Sequence, residues 1–177
     1  TASLEVRVGA HALILDEAMG SHLIGTTPSV GTRWPLHATA TGKILLAELG
    51  DDELTALLGN ALPALTPRTI TDPAVLRREL GRIRERGFAT NVEELEPGYT
   101  AVAVAVRAQG GTVVAALSIG GPRLRLSPER LVEVAKLLPA PAARISERLG
   151  FRPEGSGAAA PGGAPERTRK PSKEGRR

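Results

Sequence analysis

The segment WPLHATATGKILLAEL, residues 34–49, carries a residue pair that could bind phosphate, Gly42 and Lys43 behind a run of small residues. A Walker-type loop reads GxxxxGK followed by Ser or Thr, because backbone amides wrap the phosphates and the hydroxyl holds magnesium. His37 stands where the first glycine belongs and Ile44 where the hydroxyl belongs, so no nucleotide site is predicted. Small residues at a helix start can still offer free amides to an anion, although an ordinary helix cap explains the same pattern.

Few of the remaining residues could form a catalytic or a metal-binding site. The chain contains no cysteine, and His11 and His22 lie near opposite ends of a hairpin without a second ligand at metal-binding spacing. Neither a metal nor a cofactor is therefore predicted. Ser118 is a candidate nucleophile without an evident base, and a loop that is rich in glutamate is usually solvated. Those glutamates are Glu93, Glu94 and Glu96.

Alternating and apolar runs predict the strands that would position these residues. They cover residues 3–8, 11–17, 21–27, 88–92, 99–108 and 112–119, with a loop at 93–98. The first three strands form an antiparallel meander, and the last two form a hairpin about Gly110 and Gly111.

Helix signals are clearest at residues 72–87. Asp72 is a cap, Pro73 opens the first turn and Gly87 ends the helix. Its apolar stripe consists of Val75, Leu76, Leu80 and Ile83. Three other helices are predicted: about 40–49 after the cap Thr39, Asp51 or Asp52 to Leu58, and Pro128 towards Gly150 with an interruption at Pro139 and Pro141.

The predicted hairpin distributes side-chain size unevenly. A two-residue turn at Gly110 and Gly111 puts small residues on one face and mostly bulky residues on the other. The small face holds Ala101, Ala103, Ala105, Ala116, Ser118 and Gly120. Either a helix packs close against this bare face, or the face floors a cavity in which Ser118 is the only side-chain hydroxyl. Periodicity leaves both interpretations open.

Composition predicts one domain followed by a tail. The chain has 177 residues, of which 41% are hydrophobic, enough for a single core over residues 1–151. Residues 152–177 hold seven of the 23 basic and three of the 19 acidic residues, which leaves the body formally neutral. We expect this basic tail to be disordered, and a solvated tail is favoured over a nucleic-acid contact. Neither a membrane span nor a signal peptide is predicted, which favours the cytoplasm.

Three separated blocks resemble the effector-binding domain of the isocitrate lyase regulator (IclR) family of bacterial transcription factors. The blocks are LHATATGKILLAEL, ERGFATNVEELEPGYTAVAVAV and VVAALSIGGPRLRLSPERL. The resemblance implies an α+β, GAF-like (profilin-like) fold: a curved antiparallel sheet of about six strands with packed helices. It also implies a homodimer or homotetramer. Family members carry a winged helix-turn-helix before this domain, and it is absent from this chain, so DNA contact is expected only through that missing domain.

The resemblance also implies a pocket for a small-molecule effector. Its ligand-binding positions correspond to Leu23, Thr26, Ala40, Thr41, Asn91, Ala101, Ser118 and Gly120. The family often has an acid where Asn91 stands and a second serine where Gly120 stands, so a roomier and more apolar pocket is expected here.

We therefore expect a sensor domain, not an enzyme, that binds a small organic or aromatic acid and controls DNA binding through oligomerisation. A GAF-like assembly module without a ligand is the alternative, followed by a small hydrolytic enzyme.

Overall fold

The computed structural model describes residues 1–20 and 29–152, which form one curved, six-stranded antiparallel sheet. Its order is β3-β2-β1-β6-β5-β4. The strands are β1 (Ala2–Val8), β2 (His11–Ala18), β3 (Arg33–Pro35), β4 (Ala89–Val92), β5 (Tyr99–Arg107) and β6 (Val113–Pro122). The predicted α+β architecture is confirmed.

Helices cover both faces of the sheet. They are α1 (Ala40–Ala47), α2 (Asp51–Leu58), α3 (Pro73–Arg86), α4 (Pro128–Ala135) and α5 (Pro139–Arg148). The first three share a hydrophobic core with the small residues of β5 and β6, whereas α4 and α5 pack with the valines of β5. None of the helices in the described ranges has the length and hydropathy needed to cross a membrane.

Local signals predicted α3 closely. Asp72 Oδ1 accepts a hydrogen bond of 2.7 Å from the Ala74 amide, and Gly87 ends the helix with φ +79°. The helix buries Leu76, Leu80 and Ile83, but Val75 is 38% exposed and does not belong to the stripe.

The β5–β6 register agrees with the sequence prediction, but the turn does not. Ala101 pairs with Gly120 and Val106 with Ala115, as expected. Instead of a two-residue turn, a longer one is closed by a hydrogen bond of 2.9 Å from the Ala108 amide to the Thr112 carbonyl. An extra residue in β6, Val114, produces a bulge that restores the register.

Other boundaries differ modestly. Helix α1 ends at Ala47 before its C-cap Glu48, and the break between α4 and α5 before Pro139 is confirmed. Strand β3 was missed because it is a short edge strand that contains Pro35. The strand predicted over 21–27, and the tail beyond Arg152, lie outside the described residues.

Candidate functional site

A cavity of about 400 Å³ lies beside the start of α1. Its walls come from β1, β2, β3, the first turn of α1, β4, the β4–β5 loop, β5 and β6. The lining residues are Thr1, Ser3, Glu5, Ile14, Glu17, Ser29, Trp34, Thr39, Ala40, Thr41, Asn91, Leu95, Glu96, Pro97, Gly98, Tyr99, Ala101, Ser118 and Pro122.

The bare face of the hairpin divides into two regions. Ala103 and Ala116 are fully buried in the core that contains α1, and we call them the covered end. Ala101, which also belongs to that core, and Ser118 are the next residues on this face; both line the cavity, and we call them the open end. A helix of this length spans about 12 Å, whereas β5 spans about 30 Å, so α1 covers only part of the strand. Each interpretation of the bare face is therefore correct for one end.

The first turn of α1 begins beside the cavity. Thr39 Oγ1 accepts a hydrogen bond of 2.9 Å from the Gly42 amide, which caps the helix. A Cβ on Gly42 would lie 2.6 Å from the carbonyl carbon of Leu36, so only glycine permits this close approach. Helix geometry leaves the amides of Ala40 and Thr41 without an intrahelical acceptor.

Lys43 serves a structural purpose. Its ammonium nitrogen lies 2.6 and 2.7 Å from the two carboxylate oxygens of Glu94, and its residue is 1% exposed. Burial raises the pKa of the Glu94 carboxyl, and the Lys43 ammonium counters that increase. The pair joins α1 to the β4–β5 loop.

That loop is not the solvated segment that its glutamates suggested. Glu93 has a left-handed backbone with φ +60°, and its side chain accepts a hydrogen bond of 2.9 Å from the Gly98 amide. This hydrogen bond is the main reason for the lowered pKa of Glu93, and ion pairs with Arg123 and Arg68 add to it. Together with buried Glu94, these contacts anchor the loop, and only Glu96 of its three glutamates is exposed.

Asn91 is fully buried at the cavity wall. Its Nδ2 donates to the Ala38 carbonyl at 3.0 Å, and its Oδ1 accepts from the Glu94 amide at 2.9 Å. The side chain therefore ties the start of α1 to the acidic loop, which positions two walls of the cavity.

A buried carboxylate, Glu5, forms the polar end of the cavity. Its residue is 5% exposed, and its two oxygens accept hydrogen bonds from Ser3 Oγ at 2.8 Å and Thr41 Oγ1 at 2.6 Å. Ser3 Oγ also lies 2.8 Å from Ser118 Oγ. A hydrogen-bonded chain thus connects the start of α1, β1 and β6.

The electrostatics of this end are negative. Burial raises the pKa of Glu5, the hydroxyls of Thr41 and Ser3 partly offset the increase, and Glu17 adds to it. Burial also raises the pKa of the Tyr99 hydroxyl, with smaller contributions from Glu5, Glu17 and Glu96. The three carboxylates therefore act on the same small volume.

We searched the described ranges for side chains that could bind a metal ion together. Among these residues, no group of three or more His, Cys, Asp or Glu side chains could hold a metal ion. The buried His37 has its Nε2 at 2.9 Å from the Pro63 carbonyl oxygen, so it joins two segments of the chain.

The model of the family described as "Bacterial transcriptional regulator IclR C-terminal" matches residues 1–147. The chain belongs to the IclR family. The resemblance seen in the three sequence blocks is thereby confirmed.

Named relatives of this IclR-family chain are transcriptional repressors. It is 36% identical over 155 residues to the HTH-type transcriptional repressor AllR of Klebsiella pneumoniae, a match that covers 87% of this chain and 57% of the repressor. AllR of Escherichia coli K12 is 34% identical, with 86% and 56% coverage. The chain thus spans little more than half the length of these relatives.

Solved structures share the fold. The C-terminal domain of the E. coli regulator KdgR is 35% identical with a TM-score of 0.73, and the match covers 85% of this chain and 87% of that domain. The inducer-binding domain of Acinetobacter PobR, a double mutant in complex with 3-hydroxybenzoic acid, is 28% identical with a TM-score of 0.75 and covers 82% and 86%.

The family-derived site residues are brought together only in part. Ala40, Thr41, Asn91, Ala101 and Ser118 line the cavity. Leu23 and Thr26 lie outside the described residues.

Gly120 lies behind the cavity wall, under the ring of Tyr99. A Cβ at this position would lie 2.8 Å from Tyr99 Cζ, so the glycine makes room for the ring. The space that a side chain at position 120 would need is occupied by the Tyr99 side chain, which itself lines the cavity.

Sequence reasoning missed Glu5 as a cavity residue. The signal was present in β1, where Ser3 and Glu5 alternate with Leu4 and Val6 of the opposite core. Pairing of β1 with β6 puts that polar face beside Ser118. This long-range pairing would have identified Glu5.

Proposed function

We propose that this chain is the sensor domain of a bacterial transcriptional regulator and that a small organic effector binds in the cavity. The observation that carries the proposal is the hydrogen-bonded chain of Thr41, Glu5, Ser3 and Ser118, built around the buried Glu5, at the end of a cavity of about 400 Å³. Ligand pockets typically combine such a volume with a small number of convergent polar groups. The ligand complex of the PobR domain supports the proposal by likeness of fold.

The residues proposed to contact the effector are of two kinds. Ala40, Thr41, Ala101 and Ser118 supply the floor and the helix start, and Tyr99 supplies an aromatic wall over Gly120. Asn91 positions these walls through its bonds to Ala38 and Glu94. Leu23 and Thr26 remain predicted ligand contacts.

We propose that the longer proteins that contain this domain bind DNA and that the effector regulates this binding. The matched repressors extend well beyond the aligned part, and we infer that a winged helix-turn-helix outside it binds the operator. Effector binding then controls DNA binding through a homodimer or homotetramer in the cytoplasm. Because the body of this chain is formally neutral, we expect no operator-specific binding from the chain itself.

A ligand screen of the 177-residue chain tests the sensor function. Small organic and aromatic acids, with their amides and amines, are tested by thermal unfolding, since a ligand at a hundredfold excess over its Kd stabilises the fold by about 2.7 kcal/mol. We expect at least one compound to raise the Tm and to shift the backbone NMR signals of Ala101 and Ser118 more than that of Leu131, on the opposite side of the sheet. A screen without any stabilising compound, or shifts centred on Leu131, would contradict the proposal.

A further inference from the structure

The hydrogen-bonded chain at Glu5 has a direction. A hydroxyl has one proton to donate, and an ionised carboxylate only accepts. Ser3 donates to Glu5 Oε1 at 2.8 Å and Thr41 donates to Oε2 at 2.6 Å. With Glu5 ionised, the Ser3 proton is used in this way, and Ser118 is then the donor in the contact of 2.8 Å between Ser3 and Ser118.

That direction leaves acceptors at the polar end of the cavity. Ser118 and Thr41 each donate their hydroxyl proton to another protein group, so both oxygens can only accept a hydrogen bond from a ligand. The Glu5 carboxylate retains acceptor capacity after two hydrogen bonds, since each oxygen has two lone-pair positions. All three residues line the cavity. A ligand group at this position must therefore supply hydrogen-bond donors.

Charge around the cavity favours the same kind of group. Glu5, Glu17 and Glu96 all line it. The described lining residues include no lysine, arginine or histidine side chain. A bound anion would be repelled by three carboxylates and would lack a guanidinium or side-chain ammonium partner.

The amides at the start of α1 do not reverse this preference. Thr41 is bonded through its hydroxyl to Glu5, so an anion at the Thr41 amide would lie close to the Glu5 carboxylate. The partial positive charge of a helix start is smaller than the full charge of the carboxylate beside it.

We propose that the effector meets Glu5, Ser118 and Thr41 with a nitrogen group, either an uncharged amide or an ammonium, instead of a carboxylate. A primary amide carries two N–H donors and an ammonium three, which match several converging acceptors, whereas a hydroxyl carries one. This inference rests on the proposed sensor function and specifies the chemical class of its ligand.

Three probes that carry different polar groups on the same phenyl ring test it: benzoate and benzamide, which share one shape, and benzylamine. Their affinities for the full chain are measured by isothermal titration and by NMR shifts of Ser118 at constant pH and ionic strength. We expect benzamide and benzylamine to bind at least tenfold more tightly than benzoate. Glu5→Gln, which removes the charge and introduces a donor, should reduce that preference to less than threefold.

Glu53→Gln is the matched control. Glu53 pairs with Arg7 at 2.7 Å and does not line the cavity, so its substitution removes the same charge elsewhere and should leave the tenfold preference intact. Benzoate binding as tight as that of the other probes, a preference unaffected by Glu5→Gln, or no binding by any probe would overturn the inference. In the first two results the cavity still binds ligands and the sensor function stands; the sensor function fails only if the wider screen also finds no ligand.

Discussion

The two ends of the bare hairpin face have nearly the same side chains but different neighbours. At the covered end, Ala103 and Ala116 are fully buried in the core that contains α1, where the small side chains permit close packing. At the open end, Ala101 is a 4% exposed member of the same core but also lines the cavity together with Ser118, and Glu5 lies on the neighbouring strand β1, paired with Ala116. Small residues alone do not create a binding site; the site arises where the covering helix stops and polar groups converge.

The largest expected loss of stability comes from removing the ion pair between α1, which lies over the covered end, and the β4–β5 loop, which lies beside the open end. Lys43→Met leaves Glu94 buried without its partner at 2.6 Å, and removal of one member of such a pair destabilises by about 3–5 kcal/mol. Urea unfolding of both proteins measures the loss. The double variant Lys43→Met with Glu94→Gln should regain most of the lost free energy of unfolding. A single variant as stable as wild type would show that the ion pair does not stabilise the fold.

The two ends should respond differently to one larger side chain. Ala103→Leu forces extra volume into a core position that is 0% exposed and should cost about 1–3 kcal/mol. Ala101→Leu can extend into the cavity and should cost less than the low end of that range. The midpoints of thermal and urea unfolding provide the comparison, and equal losses would mean that the open end is packed as tightly as the covered end.

A smaller, pH-dependent effect is expected at Glu5. Since the folded-state pKa of Glu5 is raised above its usual 4.5, the protonated form is favoured by folding, and this contribution is lost as the pH rises through the folded pKa. Glu5→Gln removes the titration, so the free energy of unfolding of the variant should gain on wild type between pH 4.5 and neutrality. Denaturant unfolding of both proteins over this range measures the difference. A variant whose free energy of unfolding falls relative to that of wild type as the pH rises would contradict this sign.

Local sequence signals predicted the parts of the fold that depend on neighbours in the chain. Asp72, Pro73 and Gly87 specify α3 through caps and stops that act within a few residues. The hairpin register was predicted from a two-residue turn; the turn is longer, and the register is correct because the bulge at Val114 compensates for the difference.

The candidate site depended on distant residues and was predicted only in part. Ala101 and Ser118 were found through the bare face and the family resemblance. Glu5 was missed because the alternation in β1 indicates only a polar face, and pairing with β6, more than a hundred residues away, is what puts that face beside Ser118. The ion pair between Lys43 and Glu94 was missed for the same reason: Lys43 was considered only as part of a phosphate-binding pair and Glu94 as a solvated charge.

The ligand-induced thermal shift of Ala101→Leu and Ala103→Leu tests most directly whether the effector binds at the open end. A compound that stabilises the wild type is added to each variant at the same excess over its wild-type Kd. The ligand shift is the Tm of each variant with the compound minus the Tm of the same variant without it. We expect Ala101→Leu to remain folded and to lose the shift, because the larger side chain fills the cavity, while Ala103→Leu keeps it from a lower starting Tm. A full ligand shift in folded Ala101→Leu would contradict the account and would place the binding site elsewhere in the protein.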